Sequence, residues 1–336
     1  MRKQRSSNIE LCRIAAILLV ILVHSATYTQ GSLTSYDDCH IPSLFMRGFA
    51  VIGVDVFVII SGYFGITWKR NSLISLFYIV LFYGLLRAIA LCKLGMWDWK
   101  ALFVVSSANW YVVTYLGLVI VSPILNSFTE IASKKQFGIV LGLLILYQTW
   151  MGWVPGLPHY ESFRGGYSLM SFFILYLLAR YIRINGVPST IEKNCGVLYI
   201  FISLSIGFFA FFGVKYGFSG IPLLFKYNSP FVILSAICFF LFFLKLQIGY
   251  NKIINYFASS TLSVLLIHEP RPFRFIMKDM FGNLTEMGGG YLIIWFVLVV
   301  AVYFICVLID QLRILSFEMI NKYIENNERT IDNKAS

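Results

Sequence analysis

Apolar runs of about 18 residues or more recur along the whole chain, and they constrain it more than any other feature. The stretch 229–246, "SPFVILSAICFFLFFLKL", carries no charge before Lys245. A segment of this kind in hydrocarbon must satisfy every backbone N–H and C=O internally, which leaves only helices or a closed barrel. Barrel strands alternate apolar and polar residues with period two. Here the runs are continuous, so the expected fold is all-α, a polytopic bundle of transmembrane helices. About ten spans are expected, near 9–28, 46–66, 72–91, 109–127, 136–154, 167–184, 196–213, 229–246, 257–270 and 290–312. The ninth is short and is interrupted by Pro270 and Pro272. The first lacks a small-residue cleavage site and is read as a retained helix, not a cleaved signal.

The runs leave no room for a large soluble domain. The expected organisation is one integral membrane unit over 1–336, with a core of about 8–312 and a polar tail over 313–336. Only 13% of residues are charged, where a soluble domain carries about 25%. A net charge of +11 invites a nucleic-acid partner. That reading fails, because Lys and Arg sit in short clusters between apolar runs, where they orient helices and meet anionic headgroups. With the N-terminus inside, inside segments hold roughly twice as many basic residues as outside ones, so both termini are expected in the cytoplasm. The six cysteines are scattered singly. They show no metal-ligand spacing, no metal is expected, and they read as small buried hydrophobes.

Polar residues inside spans are the candidates for chemistry, since each is expensive there and needs a partner or a job. "LCRIAAILLVILVHS", 11–25, holds Arg13 and His24. Eleven steps of about 100° pass three turns by only about 20°, so the two share one face, about 16 Å apart along the axis. Glu10 stands three residues before Arg13 and is placed to pair with it. The second span, "GFAVIGVDVFVIISGYFGITWKR", carries Asp55 at a depth similar to that of His24. Two readings fit it: an acid that orients His24 as a general base, or a structural ion-pair partner of Arg47 or Arg87.

Gly62 and Gly65 in "SGYFG" suit close backbone approach or ligand entry. Lys69 and Arg70 follow, placed either to hold phosphates or to orient the span. Asn109, Trp110 and Tyr111 open the fourth span. An aromatic belt accounts for Trp and Tyr there, and the same cluster suits a sugar. His268 and Glu269 lie deep in, or just past, the ninth span, beside Pro270. The loop "GWVPGLPHYESFRGG", 152–166, offers His159, Glu161 and Arg164 in a solvated turn. There is no phosphate-cradling glycine loop, no His-Glu-x-x-His and no Gly-x-Ser-x-Gly elbow, so a serine nucleophile is not indicated.

At these residues the chain resembles acyltransferase family 3, integral membrane O-acyltransferases of bacteria. The match runs through Arg13 and His24, "GVDVFVIISGYFG", "NWYVVTYLGLVIVSPILN", "GGYSLMSFFILYLLARYIR" and "SSTLSVLLIHEP", in the family's order over about residues 8–312. The variant looks most like members that modify surface polysaccharides. The resemblance implies about ten helices in the inner membrane and an acyl-coenzyme A donor, usually acetyl. It implies as acceptor a hydroxyl of a glycan or lipid-linked sugar, with other glycan-synthesis proteins as partners. It carries the family's histidine onto His24, its arginine onto Arg13 and its late-span histidine onto His268. Many members have two arginines three apart after span two, where this chain has Lys69, Arg70, Asn71, Ser72 and Leu73. Lys69 and Arg70 are thus only candidates for the donor phosphates.

A transporter or flippase for a glycan precursor would use Asp55, Arg87, His24 and His268 to line an alternating path. Such proteins show repeats with matching broken helices, and only span nine here is clearly broken. A structural scaffold would need no intramembrane His or Asp.

Overall fold

The computed structural model describes residues 6–96, 110–152, 161–270, 273–287 and 290–335. Among them the fold is helical, with no strand beyond an isolated antiparallel bridge between Gly31 and Cys39. In chain order the helices are α1 (Ser7–Thr29), α2 (Ile41–Ala50), α3 (Gly53–Phe64), α4 (Arg70–Lys93) and α5 (Trp110–Ile131). Then come α6 (Lys134–Gly152), α7 (Leu169–Asn185), α8 (Ser189–Lys215), α9 (Ile221–Leu224) and α10 (Pro230–Lys245). The last are α11 (Lys252–Ala258), α12 (Thr261–His268), α13 (Phe273–Gly282) and α14 (Tyr291–Ala335).

Six segments among the described residues are long and apolar enough to cross a membrane: α1, the α2–α3 pair, α4, α5, α8 and the first part of α14, Tyr291–Ile320. α6, α7 and α10 occupy the stretches of the fifth, sixth and eighth expected spans. The ninth is not one helix. Asn251 caps α11 by accepting from the N–H groups of Ile253 and Ile254, a break follows at Ser259 and Ser260, and α12 ends at His268 because Pro270 cannot continue it. At the other extreme, α14 holds no Gly or Pro and runs on as helix to Ala335. The segment after 312, expected as a polar tail, is therefore helical through residue 335.

α1 is the hub. It packs against α2, α3, α10, α11, α12, α13 and α14, and Cys12, Ala16, Ile21 and Ala26 are wholly buried in a core that draws on most of the bundle. α3 packs closely on α7. A Cβ at Gly62 would stand 2.6 Å from the carbonyl oxygen of Tyr176, so this contact needs glycine. α14 contributes a buried ion pair. Arg313 donates from Nε and Nη2 to Asp310 at 2.6 and 2.9 Å, and the Tyr83 hydroxyl of α4 donates to the same carboxylate at 2.6 Å. This bidentate, three-way contact satisfies the two charges and fastens α4 to α14.

Candidate active site

His24 lies near the last turn of α1, and α12 brings His268 and Glu269 to it. Nδ1 of His24 is 3.1 Å from Nε2 of His268. Nδ1 of His268 is 2.6 Å from the Val264 carbonyl, one turn back on its own helix. A carbonyl can only accept, so Nδ1 of His268 carries a proton. In the neutral ring Nε2 is then an acceptor, and Nδ1 of His24 must be the donor to it. The relay fixes the tautomer of His24 and leaves its Nε2 with an unshared pair, the requirement for a base.

The carboxylate beside this relay is Glu269. Its Oε2 lies 3.1 Å from Nδ1 of His24, yet Oε2 accepts no hydrogen bond from any described residue. The ring N–H is aimed at His268, so the acid contributes proximity of charge instead of a hydrogen bond. Its other oxygen, Oε1, is held by Arg274. A proton gained at Nε2 of His24 would thus create an imidazolium within 3.1 Å of a carboxylate oxygen.

Two cavities adjoin along one face of α1. The larger, about 300 Å³, is lined by Arg13, Ile17 and Val20 of α1, with Ser61, Ile66 and Thr67, Tyr111 and Tyr115 of α5, and Leu265 of α12. That volume is at the lower end for small-molecule sites. A narrow space of about 20 Å³ continues it, lined by Val20, His24, Val54, Trp110, Tyr111, Tyr227 and Glu269. Val20, Val54, Tyr111 and Leu265 border both. Arg13 and His24 therefore face the same interior path, one near each end, as their shared helix face requires.

Around the His24 end stands a group of aromatic rings. Trp110 lies 4.6 Å from Tyr167 and 5.7 Å from Tyr227, the latter stacked, and Tyr111 stacks on Tyr115 at 5.8 Å. Flat rings with hydroxyls beside them can pack on an apolar sugar face and hydrogen-bond its edge.

The Arg13 end is cationic. Arg13 pairs with buried Glu10 at 3.1 Å. Between α3 and α4 the chain turns at Gly65, whose φ of 76° favours glycine. The segment beyond it is laced down: Ile66 N–H donates to the Tyr176 hydroxyl, Asn126 Nδ2 to the Ile66 carbonyl, and Trp68 Nε1 to the Val119 carbonyl. An Nη of Arg180 stands 3.2 Å from where a Cβ on Gly65 would be. The side chains of Arg180, Lys69 and Arg70 make no hydrogen bond or ion pair with a described residue. Arg183 donates to the Tyr63 hydroxyl at 3.1 Å and lies over its ring.

The structure brings Arg13, Trp110, Tyr111 and His24 to this path, with His268 against His24. Lys69 and Arg70 are exposed at the start of α4. Asn109 and His159 fall outside the described residues, as do the side chains of Glu161 and Arg164. Asp55 does not meet the imidazole. It is fully buried and bonds to no described residue, and the orienting hydrogen bond expected of it comes from His268. Nor does Asp55 pair with Arg47, which donates to Gln30 and covers the ring of Phe225. His268, expected at the substrate, touches His24. From sequence alone neither Glu269 nor Arg180 carries a role at the site. Glu269 adjoins the Pro that ends α12, and that proline was the available signal.

The family model described as acyltransferase domain matches residues 6–311. No curated protein and no solved structure matches the chain. A family match over nearly the whole length, laid on a bundle of apolar helices with a histidine relay at an interior path, makes the chain a multi-pass membrane acyltransferase and a member of acyltransferase family 3.

Proposed function

We propose that the protein moves an acyl group, acetyl in the usual case, from cytoplasmic acyl-coenzyme A to a hydroxyl of a cell-surface glycan or lipid-linked sugar. Transfer would occur at the outer side of the bacterial inner membrane, with both termini in the cytoplasm. The observation that carries this reading is the relay that holds Nε2 of His24 as an acceptor on the same path as Arg13.

In this reading Nε2 of His24 takes the proton of the acceptor hydroxyl. The alkoxide oxygen attacks the thioester carbonyl, the C–S bond breaks, and the coenzyme A thiolate leaves and is protonated in turn. Glu269 steadies the imidazolium while it lasts, and His268 holds the ring. The acyl-pantetheine arm lies in the larger cavity, since about 16 Å of helix separates Arg13 from His24, a span close to that of an extended arm. Arg13, Lys69, Arg70 and Arg180 take the donor phosphates at the mouth. Arginine there offers paired donors that suit phosphate. Trp110, Tyr111, Tyr167 and Tyr227 bind the acceptor sugar, and Asn109, the residue before Trp110 in the sequence, is a further candidate for it.

The test is to express the chain and its His24→Ala variant at equal membrane levels and measure acetyl esters on surface polysaccharide. Esters are expected with the parent chain and absent with the variant. Equal esters from both would remove His24 from the chemistry.

A further inference from the structure

We infer that His24, His268 and Glu269 form a binding site for a zinc-class divalent cation, and that this cation is an inhibitor. The three residues come from two helices, and the two histidines are 244 positions apart, so no sequence spacing announces the set. Their donor atoms all lie within 4.8 Å of one another. Nδ1 of His24 is 3.1 Å from Nε2 of His268 and 3.1 Å from Oε2 of Glu269. Metal–nitrogen and metal–oxygen bonds of about 2.0–2.2 Å in tetrahedral array set donors a little over 3 Å apart. Two of these separations already have that value.

The surroundings match a metal set as well. A ligating imidazole normally gives its other N–H to a carbonyl or carboxylate, and His268 gives Nδ1–H to Val264 at 2.6 Å. A ligating carboxylate is normally held by its second oxygen, and Arg274 holds Oε1 of Glu269. Oε2, the oxygen turned toward His24, is buried and accepts no hydrogen bond from a described residue. It is the atom a cation would satisfy. The small space lined by His24 and Glu269 has room for a water as the fourth ligand. Two imidazoles and one carboxylate select zinc, cobalt or nickel over magnesium or calcium.

Coordination has a consequence for the proton. A cation on Nδ1 of His24 displaces the proton given to His268, and that proton moves to Nε2 of the same ring. Nε2 then donates and no longer accepts. This inhibitory consequence rests on the proposed function, whereas the site itself does not.

The full chain in detergent, stripped with chelator, is titrated with Co²⁺. Visible d–d bands are expected to saturate at a single cobalt per chain and to vanish when Zn²⁺ is added. Glu269→Gln and His268→Gln, each checked for monodisperse elution, are expected to weaken cobalt binding more than about tenfold. X-ray absorption of the zinc form needs no variant and is expected to show two imidazole scatterers. No bands, bands unchanged in both variants, or no imidazole scatterers would each overturn the site. Acyl transfer is measured in parallel, with loss of activity on adding zinc and recovery with chelator as the expected result. Cobalt binding with undiminished transfer would keep the site and overturn His24 as base. No binding, with His24→Ala inactive, would do the reverse.

Discussion

The two ends of the polar face of α1 treat their polar groups in opposite ways. Around His24 nearly every nitrogen and oxygen is set by another: Val264 fixes His268, His268 fixes His24, and Arg274 fixes Glu269. Around Arg13 the cations are held more loosely: Glu10 answers Arg13 and Tyr63 answers Arg183, while Arg180, Lys69 and Arg70 make no hydrogen bond or ion pair with a described residue. A preorganised group does chemistry without reorganising at the moment of reaction. A cation without a partner keeps its capacity for an incoming anion. The difference assigns bond-making to one end and donor capture to the other.

The strongest way to break this division is His24→Ala. Transfer should fall by about 10²–10⁴-fold, the usual contribution of a general base, while donor binding by calorimetry stays intact. In the parent chain the rate should fall as pH drops through the titration of His24, because only the neutral ring accepts a proton. Next, His268→Ala frees the ring of His24 and should lower kcat about 10²-fold with the donor KM unchanged. A change in KM instead would make His268 a substrate contact. Arg180→Ala is expected to raise the donor KM about tenfold and leave kcat alone, the worth of one charge-assisted bond. The smallest effect should be that of Lys69→Ala. It is exposed at the start of α4, and a donor KM raised about two- to threefold at low salt should return to the parent value at high salt.

Much of this was legible in the sequence, where a single helix carries the information. The 3.6-residue period alone places Arg13 and His24 on one face of α1, and both border the interior path. Glu10 pairs with Arg13 as an i,i+3 contact must. The apolar runs mark the helices, and Pro270 marks the end of α12. What sequence could not give was pairing between distant helices. Depth counting sets Asp55 beside His24, yet depth says nothing of azimuth, and the Asp55 carboxyl bonds to no described residue. Likewise Arg180 reads as an orienting charge until the fold sets it against the Gly65 turn. Beyond residue 312 polarity alone predicts a tail, yet no Gly or Pro breaks the helix there.

The placement of Asp310 and Arg313 bears on how the chain reaches its membrane. Standing three residues apart on one helix, they can neutralise each other before any neighbour has arrived. The final span can thus partition into lipid as a dipole, sparing the insertion machinery two separate ions. Tyr83 is then free to dock late, and α4, which buries little of itself, can be among the last pieces to settle.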